Sequence, residues 1–109
     1  MNISTAFAAG RLTVYLNGEL DHHEARNTIE TIDELLDEYL PRDFVLDMSG
    51  LGFMDSSGIA VIARAHQRVK TLGGRMWIEN PAKQALRVID AAGIDRLVPV
   101  ATGRVGGVK

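Results

Sequence analysis

Residues 44–74 read FVLDMSGLGFMDSSGIAVIARAHQRVKTLGG, and this stretch decides the fold. It opens on a short, nearly continuous apolar run at 44–48, which is typical of a strand covered on both faces. A loop is predicted at 49–52. Apolar and alanine residues then recur at helical spacing over 59–72, until two glycines stop the helix. A buried strand therefore gives way to a helix across residues 53–58.

The residues before this stretch predict two strands and one helix. Apolar and polar side chains alternate over 11–17, the two-residue period of a strand with one buried face, and Gly18 is expected to end it. Residues 2–8 predict a partner strand. The apolar stripe over 25–40 predicts an amphipathic helix whose N-cap is Asp21.

The residues after this stretch predict a strand, a helix and a last strand. The strand covers 75–79, and Asn80 and Pro81 are expected to be the N-cap and first residue of a helix that ends at Gly93. Residues 97–100 predict an edge strand. The resulting order of elements predicts an α/β fold, in which a mixed central sheet has helices packed against it.

The size and charge of the chain restrict its function. Its 109 residues suit one small domain, which we assign to 1–100, and we expect a disordered tail at 101–109. Apolar residues make up 46% and charged residues 24%, as in globular proteins. A net charge of −2 lacks the positive field that attracts nucleic acid or anionic membranes, so we expect neither as a partner.

The absence of cysteine narrows the chemistry further. It excludes a disulfide scaffold, a thiol nucleophile and every cysteine-containing metal site. The N-terminal residues lack the pattern of a signal peptide, and no run of 18 apolar residues occurs. We therefore expect a cytoplasmic protein.

The strongest chemical signal is the DSSG motif, Asp55-Ser56-Ser57-Gly58, where a helix is predicted to begin. Unpaired N–H groups at a helix N-terminus carry partial positive charge and tolerate an anion, so a serine there is a workable phosphorylation site. A phosphoryl group would add about −1.5 to −2 charge beside Asp55. The alternative is that the motif only caps the helix. Either serine satisfies this physical argument.

A serine hydrolase is the enzymatic alternative. A nucleophilic serine needs a base within hydrogen-bond reach, and the chain offers His22, His23 and His66. It lacks the Gly-x-Ser-x-Gly motif that holds the nucleophilic serine in many hydrolases. A chain of 109 residues also has few residues with which to line a substrate cleft. The sequence therefore disfavours this reaction.

Asp21-His22-His23-Glu24 also deserves comparison with a metal site. Adjacent residues on a helix point about 100° apart, so the two histidines are not expected to face one ion. Capping of the first long helix by Asp21 is the favoured interpretation, and we expect no metal or other cofactor.

The predicted second helix carries several basic residues. Arg64 and Arg68 are four residues apart and share a face, which suits an acidic partner or a nucleotide phosphate. A solvated helix face is the favoured interpretation. Trp77 lies in a strand pattern and is expected to pack in the core.

Several motifs together resemble a known family. They are GELDHH at 18–23, FMDSSGI at 53–59, GGRM at 73–76 and Pro81-Ala82. In this order they closely resemble the anti-sigma F factor antagonists of endospore-forming bacteria, which are STAS-domain anti-anti-sigma factors. The likeness extends over residues 12–98.

The resemblance implies a partner-switching role. In that family the unphosphorylated protein binds an anti-sigma factor that is also an ATP-dependent serine kinase, and this frees a sigma factor. Phosphorylation by the kinase releases the antagonist, and a phosphatase resets it. The family's phosphoacceptor maps onto Ser56, with Asp21, Asp55, Ser57 and Gly58 forming the acceptor loop and partner contact. This chain would then be a substrate and not an enzyme, and ATP would belong to the kinase.

Two points qualify the resemblance. Family members usually carry a further helix after the last strand, whereas Val100 here leads into a glycine-containing segment. The same domain could also serve as an interaction module in a bacterial signalling assembly that does not act on a sigma factor.

Overall fold

The structure is a computed structural model that describes residues 1–102. In this part of the chain it contains six strands, three α-helices and one 3₁₀ turn. The strands are β1 (Asn2–Ala8), β2 (Arg11–Leu20), β3 (Asp43–Asp47), β4 (Leu51–Met54), β5 (Arg75–Glu79) and β6 (Val100–Ala101). The helices are α1 (His22–Tyr39), α2 (Ser56–Thr71) and α3 (Lys83–Ala92), and the 3₁₀ turn is Ile94–Arg96.

The six strands form one mixed sheet, as the sequence predicts. The order is β1-β2-β3-β5-β6, and β4 pairs with the far end of β2. Only the β1–β2 hairpin is antiparallel, and the other pairs are parallel. The two-residue turn of this hairpin, Ala9-Gly10, has positive φ at both positions, which is the type I′ geometry that suits tight hairpins.

The three helices cover one face of the sheet. In β2 the residues Leu12, Val14 and Leu16 are fully buried, and they alternate with exposed or half-buried neighbours. They belong to one core cluster with the inward side chains of the helices, such as Ile32, Ile62 and Ile89. This two-layer arrangement confirms the predicted α/β class.

Strand β2 runs past the position where the sequence suggested that it ends. Gly18 does not stop the strand, because its φ of 118° accommodates an irregularity there and β2 continues to Leu20. The continuation pairs with β4, which occupies Leu51–Met54. Part of the segment predicted as a loop is therefore a strand, and this short strand leads directly into α2.

The start of α3 also differs from the prediction. Asn80 does not cap the helix, because its N–H donates to the Ala101 carbonyl at 2.7 Å and its side chain donates to Asp47 at 3.3 Å. The N-cap is Ala82, which makes no side-chain cap, and α3 begins at Lys83. Asn80 thus extends the sheet instead of opening the helix.

The last strand is shorter than predicted and begins three residues later. Residues 97–99 of the predicted strand follow the 3₁₀ turn and are not in a strand, and β6 contains only Val100 and Ala101. Ala101, which we assigned to the disordered tail, is therefore part of the sheet. Strand β6 pairs with β5 alone and is an edge strand. Residues 103–109 of the expected tail lie outside the described residues, so the expected lack of a further helix stays a prediction.

The basic residues of α2 form ion pairs with α1. Arg64 donates to Asp33 at 3.1 Å, and Arg68 donates to Asp37 at 2.5 Å and lies 3.4 Å from Asp33. These pairs link the two helices across their exposed side. Arg64 stays exposed, as a solvated face predicts, but the acidic residues of α1 neutralise the basic residues, which the sequence did not predict.

The face of the sheet opposite the helices carries Trp77, which is half-buried there and not in the helix-covered core. The Arg11 guanidinium lies 4.8 Å from its ring centroid, and the indole N–H donates to Glu79. Asp43, which is only 2% exposed, accepts from Arg75 at 3.1 Å and from Arg11 at 3.4 Å. Burial acts to raise the pKa of Asp43, but the hydrogen bonds and charges of neighbouring arginines outweigh it and hold the pKa below its ordinary value.

Asp43 should make the stability of the domain depend on pH. A lowered folded-state pKa contributes stability that is present at neutral pH and is lost as pH falls below about 4, through the folded-state value. We expect Asp43→Asn to lower the urea midpoint clearly at pH 7 and progressively less as pH falls below about 4. Exposed Asp90 provides the control variant Asp90→Asn. A difference from wild type that stays the same over this pH range would contradict this role.

Candidate functional site

Two strands end side by side, and a helix begins directly after each. Leu20 at the end of β2 pairs with Met54 at the end of β4, and the Asp55 N–H donates to the Leu20 carbonyl at 3.2 Å. Asp21 and Asp55 are the next residues, and they are the N-caps of α1 and α2. The fold therefore brings the GELDHH and DSSG motifs together. We call Asp21 and Asp55–Gly58 the paired-cap site.

Asp21 organises the start of α1. Its carboxylate accepts hydrogen bonds from the backbone N–H groups of His23 at 3.0 Å and Glu24 at 3.1 Å. This confirms the predicted cap, which satisfies donors that the helix leaves unpaired. Because one oxygen accepts both bonds, the other has no hydrogen bond from any residue in the described part of the chain.

Asp55 and the two serines form the first turn of α2. The Asp55 carboxylate accepts from the Ser57 N–H at 2.8 Å and fixes the turn. Ser56 is the first residue of α2 and is exposed, and its hydroxyl makes no hydrogen bond to another residue within 1–102. Ser57 is half-buried. The turn thus presents Ser56 to solvent more fully than Ser57, a difference that the sequence did not provide.

Gly58 lets α2 pack closely on the two strand ends. A Cβ atom at this position would lie 2.2 Å from Met54 Cγ, 2.5 Å from Met54 Sδ and 3.3 Å from Leu20 Cδ2. Both side chains are fully buried, so they have little room to move aside. Gly58 is needed here because of this close approach and not to relieve the backbone.

Gln84 supports the site from α3, and the sequence analysis did not identify it. Its side-chain oxygen accepts from the Met54 N–H at 2.8 Å, and its side-chain nitrogen donates to the Met54 carbonyl at 3.0 Å. The amide therefore substitutes for a neighbouring strand along the outer edge of β4. One glutamine on an amphipathic helix carries no local signal of such a contact.

Replacing Gln84 should loosen the residues before Ser56. Gln84→Ala removes both hydrogen bonds from the backbone of Met54 and should cost about 1–2 kcal/mol of stability. Exposed Gln67 on α2 offers the control Gln67→Ala, which loses no side-chain hydrogen bond in the described structure. Amide hydrogen exchange at Met54 and Asp55 should accelerate only in Gln84→Ala. Equal protection of these two amides in both variants would show that the Gln84 hydrogen bonds do not hold this segment.

Acidic side chains and the exposed ring of Phe53 lie around the paired-cap site. Phe53 is 40% exposed and lies in register with the exposed Glu19. Glu24 of α1 lies 3.6 Å from the terminal ammonium group of Met1. An exposed apolar side chain beside carboxylates and a free hydroxyl suits contact with another protein.

The histidines do not form a catalytic set with Ser56. His66 is ten residues further along α2, about 15 Å away along the helix axis. The exposed rings of His22 and His23 lie in contact, with centroids 4.0 Å apart, instead of pointing apart as expected. Neither donates to or accepts from Ser56. Within residues 1–102, no three histidine or carboxylate groups come together as a metal site.

A surface cavity of about 490 Å³ lies at the opposite end of α2. Its lining includes His66, Lys70, Trp77 and Leu97, and none of the residues of the paired-cap site. This cavity therefore does not adjoin Ser56.

A comparison with known protein families assigns the chain to one of them. The model of the STAS domain matches residues 2–104. The chain belongs to the STAS-domain family. The resemblance found from the sequence motifs is therefore confirmed. No helix in residues 1–102 is both long and apolar enough to cross a membrane.

The STAS domain is similar to named antagonists of anti-sigma factors. It is 33% identical over 91 residues to an anti-sigma F factor antagonist of Paenibacillus polymyxa, covering 84% of this chain and 78% of that protein. The unphosphorylated structure of the anti-sigma factor antagonist SpoIIAA aligns with a TM-score of 0.78 at 22% identity, over 93% of this chain and 89% of that one. Bacillus SpoIIAA in its phosphorylated form aligns at 0.70 and 22% identity, over 93% and 92%. These two structures share its fold.

Proposed function

We propose that this STAS domain is an anti-sigma factor antagonist whose binding is switched off by phosphorylation of Ser56. The observation that carries the proposal is the exposed, uncommitted Ser56 hydroxyl at the start of α2, beside two capping carboxylates. The similarity of the chain to the anti-sigma F factor antagonist of Paenibacillus polymyxa supports the choice of an anti-sigma factor as partner.

The switch would act through charge and not through refolding. The N-terminus of α2 tolerates a phosphoryl group, because its partial positive charge offsets part of the added negative charge. A partner docked over Phe53 and Ser56, however, would have to desolvate that anion next to Asp21 and Asp55. An unpaired charge buried at an interface costs several kcal/mol, so the partner would be released.

The partner proteins would add and remove the phosphoryl group. The anti-sigma factor would be a serine kinase that uses ATP, and a phosphatase would remove the phosphoryl group. The antagonist itself would be a substrate and would need no cofactor. Ser56 is favoured over Ser57 because its hydroxyl is exposed, whereas Ser57 is half-buried and its N–H is bound to Asp55.

Mass spectrometry of the protein treated with its cognate kinase tests the acceptor. Incubation with the anti-sigma kinase and ATP should add one phosphoryl group to the wild type and to Ser57→Ala. The Ser56→Ala variant should gain none. A wild-type mass that does not change would exclude this kinase–substrate pair, and a role in another signalling assembly would then be the better explanation.

A hydrolase assay distinguishes the enzymatic alternative. If Ser56 were a nucleophile, the protein would turn over an activated ester, and Ser56→Ala would abolish that turnover. We expect the wild type and Ser56→Ala to show the same background rate. Turnover that depends on Ser56 would replace the proposed switch with catalysis.

A further inference from the structure

The two edges of the sheet are protected very differently. Strand β6 has two residues and is preceded by Pro99, which has no N–H to offer. Strand β1 has seven residues, NISTAFA, with neither a charged residue nor a proline. Its register with β2 is unbroken from Asn2 to Ala8. Long uncharged edge strands are templates for pairing with another chain, and natural proteins usually block them.

The register shows which backbone groups of β1 face outward. The Gly10 carbonyl accepts from Asp43 of β3, so the even-numbered residues of β2 turn their backbone groups toward β3. The odd-numbered residues of β2 therefore turn toward β1, where they lie opposite even-numbered residues. The backbone N–H and carbonyl groups of Ile3, Thr5 and Phe7 must then face the free edge.

The side chains of these three residues lie on the helix side of the sheet, and they are not fully covered. Their partners in β2 are Leu16, Val14 and Leu12, all in the core. Phe7 remains 45% exposed, although its ring lies 4.8 Å from that of Tyr39. Leu40, which follows Tyr39 at the end of α1, is 65% exposed. Exposed apolar side chains therefore lie at this edge, outside the core.

We propose that β1 pairs with β1 of a second copy of this chain, forming a two-fold dimer with one continuous sheet. The strand is complementary to itself about Thr5. In an antiparallel arrangement centred there, Thr5 lies opposite Thr5 of the second copy, and Ile3 lies opposite Phe7. These are a hydroxyl pair and two aromatic–aliphatic pairs, combinations that stabilise neighbouring strands.

The same register also lets the outward-facing backbone groups of the two β1 strands form hydrogen bonds with each other. Because odd-numbered residues meet odd-numbered residues, each of the three pairs can exchange both of its hydrogen bonds, about six in all. The absence of charge from β1 means that no like charges meet across the two-fold axis. A single surface used by both copies is the usual geometry of a closed dimer.

The dimer would leave the paired-cap site free. Asn2 of β1 lies opposite Asn17 of β2, so the start of β1 is at the end of the sheet that carries the site. Antiparallel pairing of two β1 strands places the two sites at opposite ends of the joined sheet. Dimerisation is therefore independent of the proposed phosphorylation, and Ser56→Glu should leave it unchanged.

Sedimentation velocity over about 10 µM to about 1 mM protein tests the dimer, a range suited to a small interface. The wild type should dimerise reversibly. Thr5→Pro removes an outward N–H from each copy while sparing the β2 ladder, and it should weaken dimerisation at least about tenfold. Circular dichroism and a thermal melt establish whether each variant is folded. A wild type that stays monomeric throughout, or a folded Thr5→Pro that dimerises equally well, would overturn the proposal.

Opposite charges placed at position 5 in two separate variants test the register even if Thr5→Pro does not fold. Thr5→Lys and Thr5→Glu should each be monomeric, since like charges then meet at the two-fold axis. Mixing them should restore a one-to-one heterodimer. Thr71→Lys, an exposed change of the same charge at the end of α2, should dimerise like the wild type. If the mixture forms no heterodimer, or if Thr5→Lys alone dimerises normally, β1 is not the interface.

Discussion

Ser56→Glu is expected to weaken binding of the anti-sigma factor at least about a hundredfold, the consequence of several kcal/mol for an unpaired charge in the interface. The carboxylate would replace an exposed hydroxyl with no hydrogen bond to the rest of residues 1–102, next to Asp21 and Asp55. An isothermal titration of each form with the purified partner measures the change.

The stability of Ser56→Glu separates a binding effect from unfolding. A negative charge in the first turn of α2 interacts favourably with the helix N-terminus, so the melting temperature should stay the same or rise slightly. Gln67→Glu is the matched control, because this exposed residue carries the same charge change about 16 Å further along the helix. Equal losses of affinity in the two variants would show that net charge, and not position, matters.

Gly58→Ala should destabilise the domain by about 2–3 kcal/mol, or roughly 10 °C in melting temperature. The new methyl group would overlap Met54, which is fully buried and cannot swing into solvent. The better helix propensity of alanine, worth about 1 kcal/mol, offsets only part of this cost. Thermal unfolding followed by circular dichroism gives the value.

Two further variants show whether close packing is the cause. Gly52→Ala makes the same change in β4, where a Cβ would meet its nearest neighbour at 3.8 Å, and it should be nearly neutral. Met54→Ala removes the overlapping atoms, so Gly58→Ala should cost less in that background than in the wild type. If the cost is the same in both backgrounds, the contact with Met54 is not its origin.

The sequence predicted the layers of the fold better than the ends of its elements. Alternation around Leu12 to Leu16 and helical spacing over 59–72 are repeated signals. Both predicted faces are buried over most of their length, although Leu72 at the end of the second is 40% exposed. Gly18 and Asn80 were misjudged because each has two plausible local roles. Tertiary pairing decided between them: Gly18 lies at an irregularity opposite β4, and Asn80 bonds to Ala101.

The site was only partly predictable for a related reason. Asp21 and Asp55 were recognisable as caps because a cap is specified within three or four residues of sequence. Their closeness follows from the register of Leu20 with Met54, and the role of Gln84 follows from a contact 30 residues away in sequence. The ion pairs of Arg64 and Arg68 were missed in the same way, since their partners lie on another helix.

Titration of the anti-sigma factor with this STAS domain, before and after one phosphoryl group is placed on Ser56, tests the switch most directly. The unphosphorylated domain should bind, and the phosphorylated one should bind at least about a hundredfold more weakly with an unchanged circular dichroism spectrum. Phosphatase treatment should restore the original affinity. Equal affinity of the two forms would contradict the proposed role of Ser56.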